Sequence, residues 1–266
     1  MYSSDGQTPE APVAGEDEDT SQIDVSRFEM TFREDFNSLD VSPWGWHDPE
    51  EKTDPSRWIA HTPWAGDFGD AVFTDPQDGF PFTIVDGVLR IEAKKDETGQ
   101  WRSGLLSSDG PDEQGYAQKY GYFEARMKFP PGKGVWPAFW LAGKPVDGEG
   151  GELDVVEYYG HAPGVYHVVS HVWNLDDMDN SWSENVMLED MGSLTDDFHT
   201  YGVLVDHDMT RYYFDRKLVH ETETRKAFRA RMIMLVNLAL GSGWPIDETP
   251  DPSYLWVDYI HAYQRK

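Results

Sequence analysis

Gly151-Glu152-Leu153-Asp154-Val155-Val156-Glu157-Tyr158 places three carboxylates in a short run whose other members are mostly branched and apolar. On a helix of 3.6 residues per turn, the three acids would point at about 0°, 200° and 140°, so they would share no face. On a strand, Glu152 and Asp154 share one face, while Leu153 and Val155 point to the core. Glu157 then falls on the wrong side by one residue. A β-bulge at Val155-Val156 adds one residue and returns Glu157 to the face of the other two. The run therefore predicts a bulged strand, with acids on one face and core on the other.

Strand-like runs recur on both sides of it, at 28–36, 82–94, 101–108, 119–129, 135–142, 165–173, 198–206, 210–220, 231–240 and 254–264. Phe123, Ala125, Met127 and Phe129 alternate with Glu124, Arg126 and Lys128, the period of a half-buried strand. Asp86-Gly87 between β-branched stretches predicts a hairpin. Only 221–231 has room for a helical turn or two. No repeat and no second domain boundary is visible. The chain reads as one all-β domain over 27–266, preceded by an acidic disordered tail or linker over 1–26. The stretch 43–80 is irregular and rich in aromatic residues, including Trp44, Trp46, Trp58, Trp64, Phe68, Phe73 and Phe80. A segment of that length suits one wall of a binding cleft.

Composition narrows the function. Lys and Arg total 22 against 49 Asp and Glu, a net charge of −27. Seven of the acids fall in residues 1–26 with no base, so the body keeps −20. Such a surface repels nucleic acid and anionic lipid, and a neutral ligand suits it better. No apolar run approaches the ~20 residues needed to span a bilayer. The absence of cysteine excludes disulfides, thiol catalysis and cysteine metal sites. Eleven tryptophans in 266 residues exceed what an ordinary core needs. Besides filling a core, indoles are platforms for sugar rings.

Three acids on one strand face repel one another and shift each other's pKa values, which suits proton and glycosyl transfer. Two glutamates four strand steps apart have Cα atoms roughly 13 Å apart. Their side chains, leaning inward, can bring the carboxyls to about 5–5.5 Å, the spacing of retaining glycosidases. Two other readings stay open at this point. One is a solvated acidic strand in an acidic protein, and the other is a Ca²⁺ or Mg²⁺ site.

The wider pattern resembles glycoside hydrolase family 16. It is carried by Tyr120-Gly121-Tyr122-Phe123-Glu124-Ala125-Arg126, by Gly134-Val135-Trp136-Pro137-Ala138-Phe139-Trp140 and by the acid motif, in that order. Phe32–Asn37, Val219-His220, Leu235–Gly241 and Val257–Ile260 support it. The resemblance implies a β-jelly-roll sandwich of two curved antiparallel sheets with a concave substrate cleft. It implies a secreted, monomeric, endo-acting retaining hydrolase of β-linked polysaccharide, needing no cofactor for catalysis. By position, Glu152 is similar to the nucleophile, Asp154 to the assisting aspartate and Glu157 to the general acid/base. Trp136 and Trp140 match tryptophans that line the central subsites, and His171 matches a cleft histidine; Trp173 shares the face of His171, where it can stack on sugar, and Arg102, Trp64, Asp67 and Trp244 are further candidates for the cleft. A structural Ca²⁺ is implied at the Asp35 and Gly87 carbonyls and the Asp258 carboxylate.

The two-residue spacer Val155-Val156 matches the bulged, laminarinase-like branch. The stretches 58–70 and 146–151 depart from the laminarinase pattern where substrate is selected. The leading expectation is β-1,3 or mixed-linkage glucan. A bacterial exopolysaccharide or a galactan, a transglycosylase, and a non-catalytic carbohydrate-binding jelly roll are the alternatives.

Overall fold

The computed structural model describes residues 20–42, 56–64, 66–109 and 115–266. Eighteen strands lie among them: β1 (Phe28–Glu34), β2 (Val41–Ser42), β3 (Trp58–Ile59), β4 (Val72–Phe73), β5 (Phe82–Val85), β6 (Val88–Lys95), β7 (Trp101–Ser103), β8 (Leu105–Ser107), β9 (Gly121–Lys128), β10 (Val135–Gly143), β11 (Glu149–Glu157), β12 (Tyr166–Asn174), β13 (Trp182–Leu188), β14 (His199–Val205), β15 (Met209–Phe214), β16 (Lys217–Glu223), β17 (Met232–Leu240) and β18 (Ser253–Arg265). They form two sheets packed as a sandwich, the all-β architecture expected. One sheet runs β13-β12-β11-β10-β17-β8-β3-β2; the other runs β16-β15-β14-β9-β18-β6-β7-β4, with β1 paired to β18 and β5 to β6.

Alternation along each strand sorts side chains between two apolar layers. On β17, Met232, Met234, Val236, Leu238 and Leu240 enter the core between the sheets. Ile233, Leu235 and Ala239 face the other way, where they meet Trp140, Ala138 and Phe73. That second layer lies beneath the described part of the 43–80 stretch, whose Trp64 and Phe68 form a wall over Trp136 and Trp140 of β10. The stretch is not wholly irregular, because β3 and β4 lie in it. Trp44 and Trp46 fall outside the described residues. Two close approaches dock the wall: a Cβ on Gly69 would strike the Leu240 carbonyl, and one on Gly241 would strike the Asp70 carboxylate.

Three expectations need correction. Residues 22 and 23, expected in the tail, pack on the body. Gln22 bridges to Lys217, and Ile23 is buried against Phe28, Tyr122 and Tyr213; the remainder of the expected tail, 1–19, lies outside the described residues. The run 210–220 is a hairpin, not one strand. Its turn, Asp215-Arg216, has φ of 45° and 63°, the doubly left-handed geometry of a type I′ turn. A turn with that geometry was expected only at Asp86-Gly87, where it also occurs. Finally, β13 was not expected. It pairs with β12 at the sheet edge, and its residues are only half-buried or exposed. The one helical feature of 221–231 is a 3₁₀ turn at Lys226–Arg229.

Candidate active site

Strand β11 carries the bulge. Against β10, Trp140 faces Asp154 and Ala138 faces Glu157, so three steps on β11 oppose two on its neighbour. Against β12, Asp154 faces Val169 and Glu157 faces His167, with the same mismatch. Leu153, Val155 and Val156 all enter the inter-sheet core. Two consecutive inward residues can share a face only because of the extra residue. Glu152, Asp154 and Glu157 are left on the opposite face, together with His171 of β12.

Each glutamate has its own indole donor. Trp136 Nε1–H donates to Glu157 Oε1 at 2.8 Å, and Trp173 Nε1–H donates to Glu152 Oε2 at 3.1 Å. The Tyr159 hydroxyl lies beside Glu157, where it favours the carboxylate, and Ser242 lies beside that hydroxyl. His171 Nε2 lies 3.6 Å from Asp154 Oδ2 and 4.0 Å from Glu152 Oε1. The His171 ring stacks on Trp173 with centroids 4.6 Å apart.

Burial sets the protonation of this group. It raises all three acids, because a charge taken out of water is penalised. Asp154 stands well above the usual carboxylate range, through burial first and then the charges of Glu152 and Glu157. Burial, with a smaller push from Glu157, takes Glu152 up to about 7 against the pull of the Trp173 N–H. Glu157 is raised by burial too, but Trp136, Tyr159 and His167 all pull it back. Burial lowers His171, which is therefore neutral at pH 7. Burial and the two neighbouring glutamates thus favour the protonated form of Asp154. Ligand atoms of Glu152, Asp154 and His171 lie within 4.8 Å of one another. A cation held there would compete for the atoms that proton transfer would use.

A cleft of about 630 Å³ opens at the Glu152 end, bordered by Pro63, Trp64, Lys144, Trp173, Leu175 and Met178. Trp64 is exposed and meets Trp140 edge-on at 5.9 Å. Trp140 itself is buried and donates Nε1–H to the buried Asn237 at 2.8 Å. It forms floor, where an open platform was expected. At the Glu157 end, Trp244 is exposed and lies 3.6 Å from the His161 ring, beside a smaller pocket of about 230 Å³. Arg102 is not gathered into the acid group; Asp96 and Gln100 hold its guanidinium at 2.9 and 3.0 Å. Sequence reasoning gave no role to Tyr159, Ser242 or Asn237. Tyr159 follows the acid motif after one residue, and that adjacency was the available signal.

Asp35, Gly87 and Asp258 do converge. β1 and β6 follow one another along the same edge of β18, with Glu34 opposite Ile260 and Leu89 opposite Val257. However, Asp258 Oδ2 is 2.6 Å from Arg126 Nη1. A calcium ion would share that carboxylate with a guanidinium, so the residues fit a divalent cation poorly.

Comparison with known proteins adds to this geometry. The family profile of glycosyl hydrolases family 16 matches residues 82–260. The chain belongs to this family. Within family 16 it is 32% identical to the endo-1,3-1,4-β-glycanases EglC and ExsH of Rhizobium meliloti, over 91% of its own length and 53% of theirs. It thus spans about half the length of these relatives. In structure it is similar to a laminarinase catalytic domain from Thermotoga petrophila, with a TM-score of 0.68, 24% identity, and 90% and 98% of the two chains covered. The family-16 sandwich is therefore shared at the level of the fold.

Proposed function

We propose that the chain is an endo-acting retaining glycoside hydrolase of β-linked polysaccharide, with β-1,3 or mixed β-1,3/1,4-glucan as substrate. The observation that carries this reading is the bulge in β11, which puts Glu152 and Glu157 on one face of the site with Asp154 between them. The substrate class is supported by the names of the two rhizobial relatives and by the exposed Trp64 and Trp244 at the two ends of the acid row.

In the first step Glu152, which ionises only near its raised pKa of about 7, attacks the anomeric carbon as a carboxylate and forms a glycosyl ester. The bond to the leaving oxygen breaks, and that oxygen takes the proton of Glu157. In the second step, Glu157, now a carboxylate, takes a proton from water. The resulting hydroxide equivalent attacks the anomeric carbon, and Glu152 leaves as a carboxylate. Asp154 keeps a proton within the group and limits the charge that Glu152 and Glu157 share. The substrate would be met outside the cell, in keeping with the acidic surface.

The test is to incubate the purified chain with laminarin, lichenan, agarose and a bacterial exopolysaccharide, size the products, and follow early products by NMR. Cleavage of the glucans in mid-chain with β-anomers first is expected. Early α-anomers would exclude retention. Cleavage of agarose or exopolysaccharide alone would move the substrate to those polymers, and binding without cleavage would leave a lectin.

A further inference from the structure

The two strands flanking β11 each send one tryptophan across to it, Trp136 from β10 and Trp173 from β12. An indole N–H is a donor only and does not ionise, so these bonds favour the carboxylate form of their partners. Both rings are themselves fixed. Trp173 lies on His171 with planes 13° apart, while Trp136 lies against Tyr159 with planes 25° apart and meets Phe68 edge-on at 5.5 Å. Read as sugar platforms, these tryptophans would matter for their faces. The hydrogen bonds engage their edges.

We propose that Trp136 and Trp173 are positioning residues for the reaction, each holding one glutamate through its indole N–H, with the Tyr159 hydroxyl as a second support for the Glu157 carboxylate. The proposal rests on the glycosidase reading above. It gives each donor a moment at which it acts. When Glu157 releases its proton to the leaving oxygen, Trp136 and Tyr159 receive the new carboxylate. When the ester opens, Trp173 receives the carboxylate of Glu152. A bond that strengthens as charge develops lowers the barrier and not merely the ground state. The indoles also fix which carboxylate oxygen each engages, Oε1 on Glu157 and Oε2 on Glu152.

The experiment compares kcat against pH for the wild type, Trp136→Phe, Trp173→Phe and Tyr159→Phe on a soluble β-glucan. Phenylalanine keeps an aromatic face and removes the donor. In the enzyme–substrate complex the acid limb reports Glu152 and the basic limb Glu157. Trp173→Phe is expected to move the acid limb up by about one pH unit, and Trp136→Phe and Tyr159→Phe the basic limb by a similar amount. Maximal kcat should fall roughly tenfold in each. A rise in KM with both limbs unmoved would make the tryptophans platforms and overturn the proposal. Tyr159→Phe tests the Glu157 half on its own if Trp136→Phe does not fold. A wild type that cleaves no polysaccharide would instead overturn the glycosidase reading.

Discussion

His171 Nε2 stands 3.6 Å from Asp154 Oδ2, and among the described residues that oxygen has no hydrogen-bond partner. One oxygen of the most buried acid of the site is therefore enclosed by packing without a donor of its own. A neutral imidazole beside it adds no charge that would pull its proton away.

Asp154→Asn keeps the shape of a protonated aspartate but can neither ionise nor pass its proton on. The variant should fold, bind oligosaccharide normally and lose about 10- to 100-fold in kcat. Steady-state kinetics and a binding titration check this. A kcat equal to the wild type would make Asp154 a spectator.

Glu152→Gln should be more stable than the wild type, and the gain should depend on pH. The folded carboxyl rises from an ordinary 4.5 to about 7. Below the lower value, folded and unfolded chains are both protonated and no penalty exists. Between the two values the unfolded chain loses a proton that the folded chain keeps, so stability falls as pH rises. Above the upper value the loss is complete, at about 3 kcal/mol. Urea unfolding should show little difference between variant and wild type at pH 4 and the full gain at pH 8. A gain that shrinks with rising pH would contradict the burial argument.

Glu157→Ala should lose activity on polysaccharide by about 10²–10⁴-fold. On an aryl glycoside, whose leaving group needs no proton, azide should restore turnover and yield a β-glycosyl azide. Recovery with inverted stereochemistry would remove Glu152 as the nucleophile.

Calcium should matter little. Because Arg126 already engages Asp258 at 2.6 Å, adding EDTA should shift Tm by less than about 2 °C. Arg126→Ala frees the carboxylate, and only that variant should gain stability from calcium. A large EDTA effect on the wild type would restore the expected metal site.

What could be read in advance follows from how local each signal is. The bulge was legible because three acids and three apolar residues in one run admit only one strand geometry that satisfies both sets. The hairpin at Asp86-Gly87 was legible because glycine advertises a left-handed turn. The hairpin at Asp215-Arg216 was not, since its support comes from far away. The Arg216 guanidinium reaches Glu124, a fully buried acid 92 residues earlier, at 2.7 Å, and the Asp215 carboxylate accepts from the Thr200 N–H. A turn held by distant ion pairs leaves no trace in its own four residues. The tryptophans were legible as cleft residues, but not as donors. Residue type reveals an aromatic face, whereas the direction of one N–H depends on the register of two neighbouring strands. Strand β13 escaped notice for a related reason: at a sheet edge, little of it is buried and its alternation is shallow.

The extra residue in β11 is opposed by the same two-residue interval on both neighbours, 138–140 on β10 and 167–169 on β12. The irregularity is therefore confined to a single rung of the sheet. Excising one valine there would restore regular pairing without displacing any residue of β10 or β12 relative to the other. Within this fold, the gap between the two glutamates can thus be lengthened or shortened by inherited changes of a single codon, while the surrounding framework stays in frame.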